Sequence, residues 1–150
     1  HWIPEEIGYK KVFDMLKSGG TIALFWNKPF PSSVDDPLYQ KIQMIYDRFR
    51  DEGKFKAGKH RIEDDKERYQ TILKTIKKYG FINEEYHIYK NTRTFNADEY
   101  ISLLDTYSDH RSLSPLIKEQ FMAQMKDAIN SFGGIINVYD TMDLYLAKKP

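Results

Sequence analysis

The chain has 150 residues, 41% of them hydrophobic and 15% aromatic, which excludes a disordered polymer and suffices for a single core. Its 23 basic and 22 acidic residues leave a formal net charge of +1, so neither nucleic acid nor an anionic membrane finds an electrostatic footprint here. Cysteine is absent, which removes disulfides, thiolate metal sites and cysteine nucleophiles. No apolar run approaches bilayer length and the first residues lack a signal-peptide pattern, so a cytoplasmic location is expected.

From Pro4 to Leu16 the residues Ile7, Val12, Phe13 and Leu16 recur near helical spacing. Glu5 and Glu6 lie where the helix dipole favours negative charge, and Gly19-Gly20 offers a left-handed stop. Thr21–Trp26 follows as an apolar run without alternation, the pattern of a strand covered on both faces. Pro29, Pro31, Ser32, Ser33 and Pro37 mark a loop. Leu38, Ile42, Ile45 and Phe49 then predict an amphipathic helix from about Asp36 to Asp51. The basic cluster Lys54, Lys56, Lys59, His60 and Arg61 runs into Glu63, Asp64 and Asp65. That favours a solvated loop beside a helix N-terminus over a phosphate patch.

Tyr69, Ile72, Leu73 and Ile76 form the apolar face of the next helix, ended by Gly80. Phe81–Phe95 reads as a strand with Tyr86, Ile88, Lys90, Thr92 and Thr94 on one side, and Asn96 with Glu99 forms a capping box before Tyr100, Leu103 and Leu104. Thr106–Ser112 is a polar break. Ser114-Pro115 opens a helix carrying Ile117, Phe121, Met125, Ile129 and Phe132, stopped by Gly133-Gly134. Ile136, Val138, Met142, Leu144 and Leu146 alternate in a final strand.

Three segments carry a family resemblance: His1-Trp2 ahead of the first helix, Leu16-Lys17-Ser18-Gly19-Gly20, and a strand ending in Phe25-Trp26-Asn27. Together they resemble the class I S-adenosylmethionine-dependent methyltransferases, in particular the small-molecule, trans-aconitate methyltransferase-like branch. Ser18 replaces that family's usual Pro. The resemblance implies an α/β chain corresponding to the C-terminal part of a Rossmann-like methyltransferase fold. Strands five, seven and six and their helices would be present, with strand seven antiparallel between five and six, and the glycine-rich N-terminal half would be lacking. Residues 1–150 would then be the C-terminal part of one domain, with a helical substrate-side insertion at about 96–134. The stretch Tyr100-x-x-Leu103-Leu104-x-Thr106-x-Ser108-Asp109 is similar to the family's Tyr-x-x-Leu-x-x-Thr-x-Ser pattern.

In such sheets ligands bind beyond the carboxyl ends of the strands, which marks Trp26 and Asn27, with His1 and Trp2 beside them. An aromatic wall suits a sulfonium cation, and a neutral histidine can take a proton from a hydroxyl or hydrogen-bond a carboxylate. His1 and Trp2 are therefore candidates for both cofactor and substrate contact. The resemblance adds Thr106, Tyr107 and Ser108 as substrate contacts. Hydroxyls in such a loop also serve as turn formers and helix caps. Arg111 has the fork to hold a carboxylate, or is a surface arginine.

The histidines His60, His87 and His110 fall on separate elements without ligand spacing, so no metal is expected, and no catalytic residue is assigned. S-adenosylmethionine is the implied cofactor, yet no G-x-G-x-x-G occurs, and Gly19-Gly20 precedes a strand instead of following one. The isolated chain is therefore expected to bind that cofactor weakly or not at all. The expected function is methyl transfer to a small-molecule acceptor by a longer parent. The alternative is a non-catalytic interaction domain of the same fold, and a homodimer through an exposed edge strand is expected in either case.

Overall fold

A computed structural model of the chain describes residues 3–30, 36–54 and 65–150. His1, Trp2, the Pro31–Ser33 part of the loop, and Lys56, Lys59, His60, Arg61, Glu63 and Asp64 lie outside the described residues. The elements run α1 (Glu5–Met15), β1 (Thr21–Phe30), α2 (Pro37–Asp51), α3 (Asp65–Lys78), β2 (Ile82–Asn96), α4 (Ala97–Leu104), α5 (Ser108–Arg111), α6 (Pro115–Ser131) and β3 (Ile135–Lys148). Among the described residues no helix is long and apolar enough to cross a membrane.

The three strands form one sheet in the order β1-β3-β2, so the last strand in the chain lies between the first two. Its direction follows from the contacts. Thr94 meets Asn137, and Tyr86 packs on Tyr145 with ring centroids 5.0 Å apart, so numbers rise on β2 as they fall on β3. At the other edge Gly19 N–H donates to Lys149 O (2.9 Å) and Lys149 N–H donates to Gly20 O (2.8 Å), an antiparallel exchange. This mixed α/β arrangement is the five-seven-six order that the resemblance implies.

The chain divides into two compact units. The first holds α1, most of β1, α3, the early part of β2 and the late part of β3. Its core is Ile22, Ile76, Phe81, Tyr145 and Ala147, with Phe13 edge-on to Phe81 at 5.1 Å. Gly19 takes φ 75°, where a Cβ is disfavoured, and turns the chain from α1 into β1. Lys149 closes the same corner: its Nζ donates to Phe13 O (2.7 Å) and Leu16 O (2.8 Å), the orphan carbonyls at the end of α1.

The second unit holds α2, α4, α5, α6, the late part of β2 and the early part of β3. Asp36 caps α2 by accepting from Leu38 N–H (2.8 Å) and Tyr39 N–H (3.3 Å), with Pro37 at the first helical position. The apolar positions read from the sequence, Leu38, Ile42, Ile45 and Phe49, are the ones buried, against Phe121, Met125, Ile129, Ile136 and Val138. The Asn96–Glu99 capping box is present with both hydrogen bonds made, 2.8 and 2.9 Å.

Four expectations need revision. β1 extends to Phe30, and its residues alternate in burial instead of being hidden on both faces: Ile22 is buried, whereas Phe25 is 76% exposed. The polar break at Thr106–Ser112 contains the short helix α5. On β3 the buried set changes parity, from Ile136, Val138 and Asp140 to Asp143, Tyr145 and Ala147, so Met142 does not continue the inward row. β2 does likewise, with Glu84 and Tyr86 half-buried early and Arg93 and Phe95 late. Each half of these strands serves the core of its own unit, and a period-two pattern cannot announce that change of side.

Candidate functional site

A dense arrangement of polar groups lies in the second unit. The capping box starts α4 so that Tyr100 and Leu104 point into the core. The turn after α4 is tied by Thr106 Oγ1, which donates to Leu103 O at 2.7 Å, and by Tyr107 N–H to Leu104 O at 3.1 Å. This turn delivers His110 into the interior, where it is only 3% exposed.

Asp109 Oδ1 lies 2.7 Å from His110 Nδ1 and also accepts the His110 backbone N–H at 2.9 Å. A carboxylate only accepts, so Nδ1 carries the proton and, in the neutral ring, Nε2 is the acceptor. Tyr46 supplies the partner from α2, its hydroxyl 2.8 Å from Nε2. Phe121 packs on both rings, at 5.1 Å from Tyr46 and 5.4 Å from His110. Burial pushes the Tyr46 hydroxyl well above the ordinary tyrosine value, with Tyr100, Asp109 and Tyr107 adding in the same sense. Arg50, whose guanidinium lies 5.3 Å from the Tyr46 ring centre, opposes the shift.

A guanidinium–carboxylate pair adjoins these phenols. Arg93 donates to Asp140 through Nε (2.5 Å) and Nη2 (2.9 Å), a two-pronged contact on a carboxylate that is 4% exposed. Burial raises Tyr100 and Tyr107 above the usual value, and in both Arg93 works against the shift. Three phenols, an imidazole and two guanidiniums therefore share one electrostatic environment. Such a set can orient a polar ligand and hold or move a proton; among the described residues no group of three acidic or histidine side chains could hold a metal.

The residues singled out in the sequence fall in different places. Tyr107 belongs to this cluster, its ring 5.8 Å from His110. Thr106 and Ser108 flank it on the surface, Thr106 as a helix-end cap and Ser108 as the first residue of α5, where its carbonyl accepts from Ser112 N–H. Arg111 is exposed in the last turn of α5, and its charge helps Lys118 hold the Asp105 carboxyl below the usual range. Trp26 and Asn27 lie in the first unit. Trp26 is 40% exposed and meets Tyr145 edge-on at 5.7 Å, at the end of a row of rings continuing through Tyr86 to Tyr69. It borders an apolar cavity of about 190 Å³ with Tyr9, Val12 and Leu24. Asn27 is exposed on β1.

Tyr46, Tyr100, Arg93 and Asp140 were not singled out as site residues. The adjacent Asp109-His110 is a usable signal. Nothing in the sequence pairs it with Tyr46, which is 64 positions away and acquires its role through helix packing.

No protein-family model matches this sequence, and no curated protein matches it. Several solved structures do resemble the chain. A phosphoethanolamine N-methyltransferase 2 of Haemonchus contortus, solved with phosphomonomethylethanolamine and S-adenosylhomocysteine, shares 11% identity over 97% of this chain and 30% of its own, with a TM-score of 0.34. A candidate methyltransferase of Bacillus halodurans C-125 shares 17% over 95% of this chain and 61% of its own, with a TM-score of 0.41. A candidate sarcosine dimethylglycine methyltransferase of Galdieria sulphuraria shares 17% over 99% and 49%, with a TM-score of 0.33. The chain thus spans less than two thirds of the length of each.

S-adenosylmethionine, the cofactor the resemblance implies, calls for a glycine-rich turn between a strand and a helix N-terminus. Here the glycines with left-handed backbone, Gly19, Gly53, Gly80, Gly133 and Gly134, all follow helices, and β2 passes directly into α4 through Asn96. The described residues do not by themselves form a cradle for this cofactor.

Proposed function

We propose that this chain is the acceptor-side portion of a longer S-adenosylmethionine-dependent methyltransferase that modifies a small molecule. The observation that carries the reading is the insertion of β3 between β1 and β2. It coincides with Leu16–Gly20 as the turn into β1 and with Phe25-Trp26-Asn27 on that strand. Of the cluster, Tyr100, Tyr107 and His110 fall in the stretch of about 96–134 where the resemblance implies substrate contacts. Methyl transfer is chiefly a matter of aligning the acceptor, which suits a site built from positioning groups. The cofactor-holding glycine loop would come from the rest of the longer protein, with His1, Trp2, Trp26 and Asn27 at its border.

The test compares two proteins. Calorimetry is expected to give no micromolar binding of S-adenosylmethionine to the isolated chain, and clear binding to a longer protein that includes a glycine-rich N-terminal half. Tight binding by the 150-residue chain, or a longer protein that neither binds nor transfers labelled methyl to any small molecule, would overturn the reading.

A second reading, an interaction domain that pairs through β1, is favoured by a contrast between the two outer strands. β2 carries Glu84, Glu85, Lys90 and Arg93, whereas β1 presents Phe25 and Trp26 with no charge before Lys28. Charged edges resist strand pairing and apolar edges invite it. A second copy of the chain meeting β1 edge to edge would form a homodimer.

A further inference from the structure

We propose that the groove between α2 and α6 binds a small linear zwitterion, an amine and a carboxylate joined by a short apolar chain. This goes beyond the acceptor-side reading and does not rest on it. The groove holds a cavity of about 410 Å³, within the range of about 300–1,000 Å³ typical of small-molecule sites. Its floor is apolar: Ile45 and Ala128 are buried there, and Ala128, with only a methyl group, keeps a depression between the helices. Met44, 65% exposed, forms an apolar lip beside that floor.

The two walls carry opposite charge. Lys41 and Arg48 lie two helical turns apart on α2 and line the groove together, and Asp127 stands on the α6 side. Gln124 Oε1 accepts from Arg48 Nη2 and holds the guanidinium at the groove. Arg48 Nε is 3.9 Å from Glu52, whose carboxylate is engaged by Lys54 at 2.6 Å. On the same helices Arg50 pairs with Asp47 at 2.8 Å, and Lys126 pairs with Asp98 at 2.5 Å. Lys41 and Asp127 have no ion-pair partner among the described residues. They line one cavity without closing on each other.

Charge placement selects the ligand. A plain anion would meet Lys41 and Arg48 but also the Asp127 carboxylate, and a plain amine would meet the reverse. An α-amino acid bears both charges on one carbon and cannot serve both walls. The axes of packed helices stand about 8–10 Å apart, a span matched by an extended chain of about five methylenes between two charged ends. In that pose the carboxylate accepts from Lys41 and Arg48, the ammonium donates to Asp127, and the methylenes cover Ile45, Ala128 and Met44. A groove whose charged residues serve only solubility would look the same, so the decisive measurement must separate the two ends of the ligand.

The probe is 6-aminohexanoate, titrated at low ionic strength into the 150-residue chain and followed by backbone amide signals in nitrogen-15 NMR. Hexanoate and hexylamine are the single-charge controls. The wild type is expected to show saturable shifts on α2 around Lys41 and Arg48 and on α6 around Gln124 and Asp127. Its affinity for the zwitterion should exceed that for either control about fivefold, the factor that one good exposed ion contact supplies. Lys41→Gln and Asp127→Asn change exposed side chains, so folding is not at stake, and each should weaken the zwitterion about fivefold. Asp127→Asn should leave hexanoate no weaker, and Lys41→Gln should leave hexylamine no weaker. The proposal is overturned by the absence of saturable shifts, by shifts centred away from the groove, or by an undiminished affinity in either variant. Hexanoate or hexylamine binding as tightly as the zwitterion would overturn it too, marking a patch that reads one charge alone.

Discussion

Arg68 on α3 and Asp143 on β3 form an ion pair whose side chains are 9% and 1% exposed. Asp143 Oδ2 accepts from Arg68 Nε at 2.8 Å and Nη2 at 2.5 Å, while Oδ1 has no hydrogen-bond partner among the described residues. Replacing Arg68 by Met keeps most of the packing volume and leaves the carboxylate buried without its cation. Stranding one member of a buried pair costs about 3–5 kcal/mol. Solvent screening does not reduce that figure when both side chains are hidden. Against the total of about 5–15 kcal/mol typical of a folded domain, the loss is large.

Urea unfolding followed by far-UV circular dichroism measures it. With a loss of about 4 kcal/mol and a slope of about 2 kcal/mol per molar urea, the midpoint should fall by about 2 M. Removing the charge as well, in Arg68→Met combined with Asp143→Leu, should recover most of the loss, because an apolar pair has no desolvation cost to offset. A single variant within about 1 kcal/mol of wild type would refute the argument, since that is the value of an exposed pair. A double variant no more stable than the single would refute it too.

Two further predictions concern alkaline pH and the sheet edge. Burial first and the Asp143 charge second raise the Tyr145 hydroxyl to about 12. A folded-state pKa above the unfolded value gives stability that is complete below pH about 10 and lost as the pH rises through about 12. Wild-type unfolding free energy should therefore fall over that window, and less steeply in Tyr145→Phe; equal slopes would show that Tyr145 is not responsible. At the free edge of β1, Phe25→Lys should convert a dimer to monomer in light scattering at high concentration. A wild-type chain that is already monomeric under those conditions removes the edge-pairing reading.

Much of the local architecture is legible in the sequence because it depends on neighbours only a few residues apart. The helix α2 is announced by Asp36-Pro37 and by the spacing of Leu38, Ile42, Ile45 and Phe49, all of which are buried. The Asn96–Glu99 box and the Gly133-Gly134 stop follow equally local rules. The order of the strands is legible only through the family resemblance, since no local rule decides which strands pair.

The site was less accessible. Tyr107 could be singled out from its place in the insertion, but its significance depends on Arg93, Asp140, His110 and Tyr46, which come from β2, β3, α5 and α2. Met142 was expected inward and Asp143 lies there instead, because Arg68 neutralises a charge that no pattern of hydrophobicity would place in a core. Periodicity and capping are short-range properties, and the sequence by itself determined the longer helices and the approximate positions of the strands, but not α5 or the run of β1 to Phe30. Burial of charge, the change of inward face along β2 and β3, and the meeting of Asp109, His110 and Tyr46 depend on contacts between distant segments. Only the tertiary structure decided those, because the energy of a buried polar group is set by the partner packing brings to it.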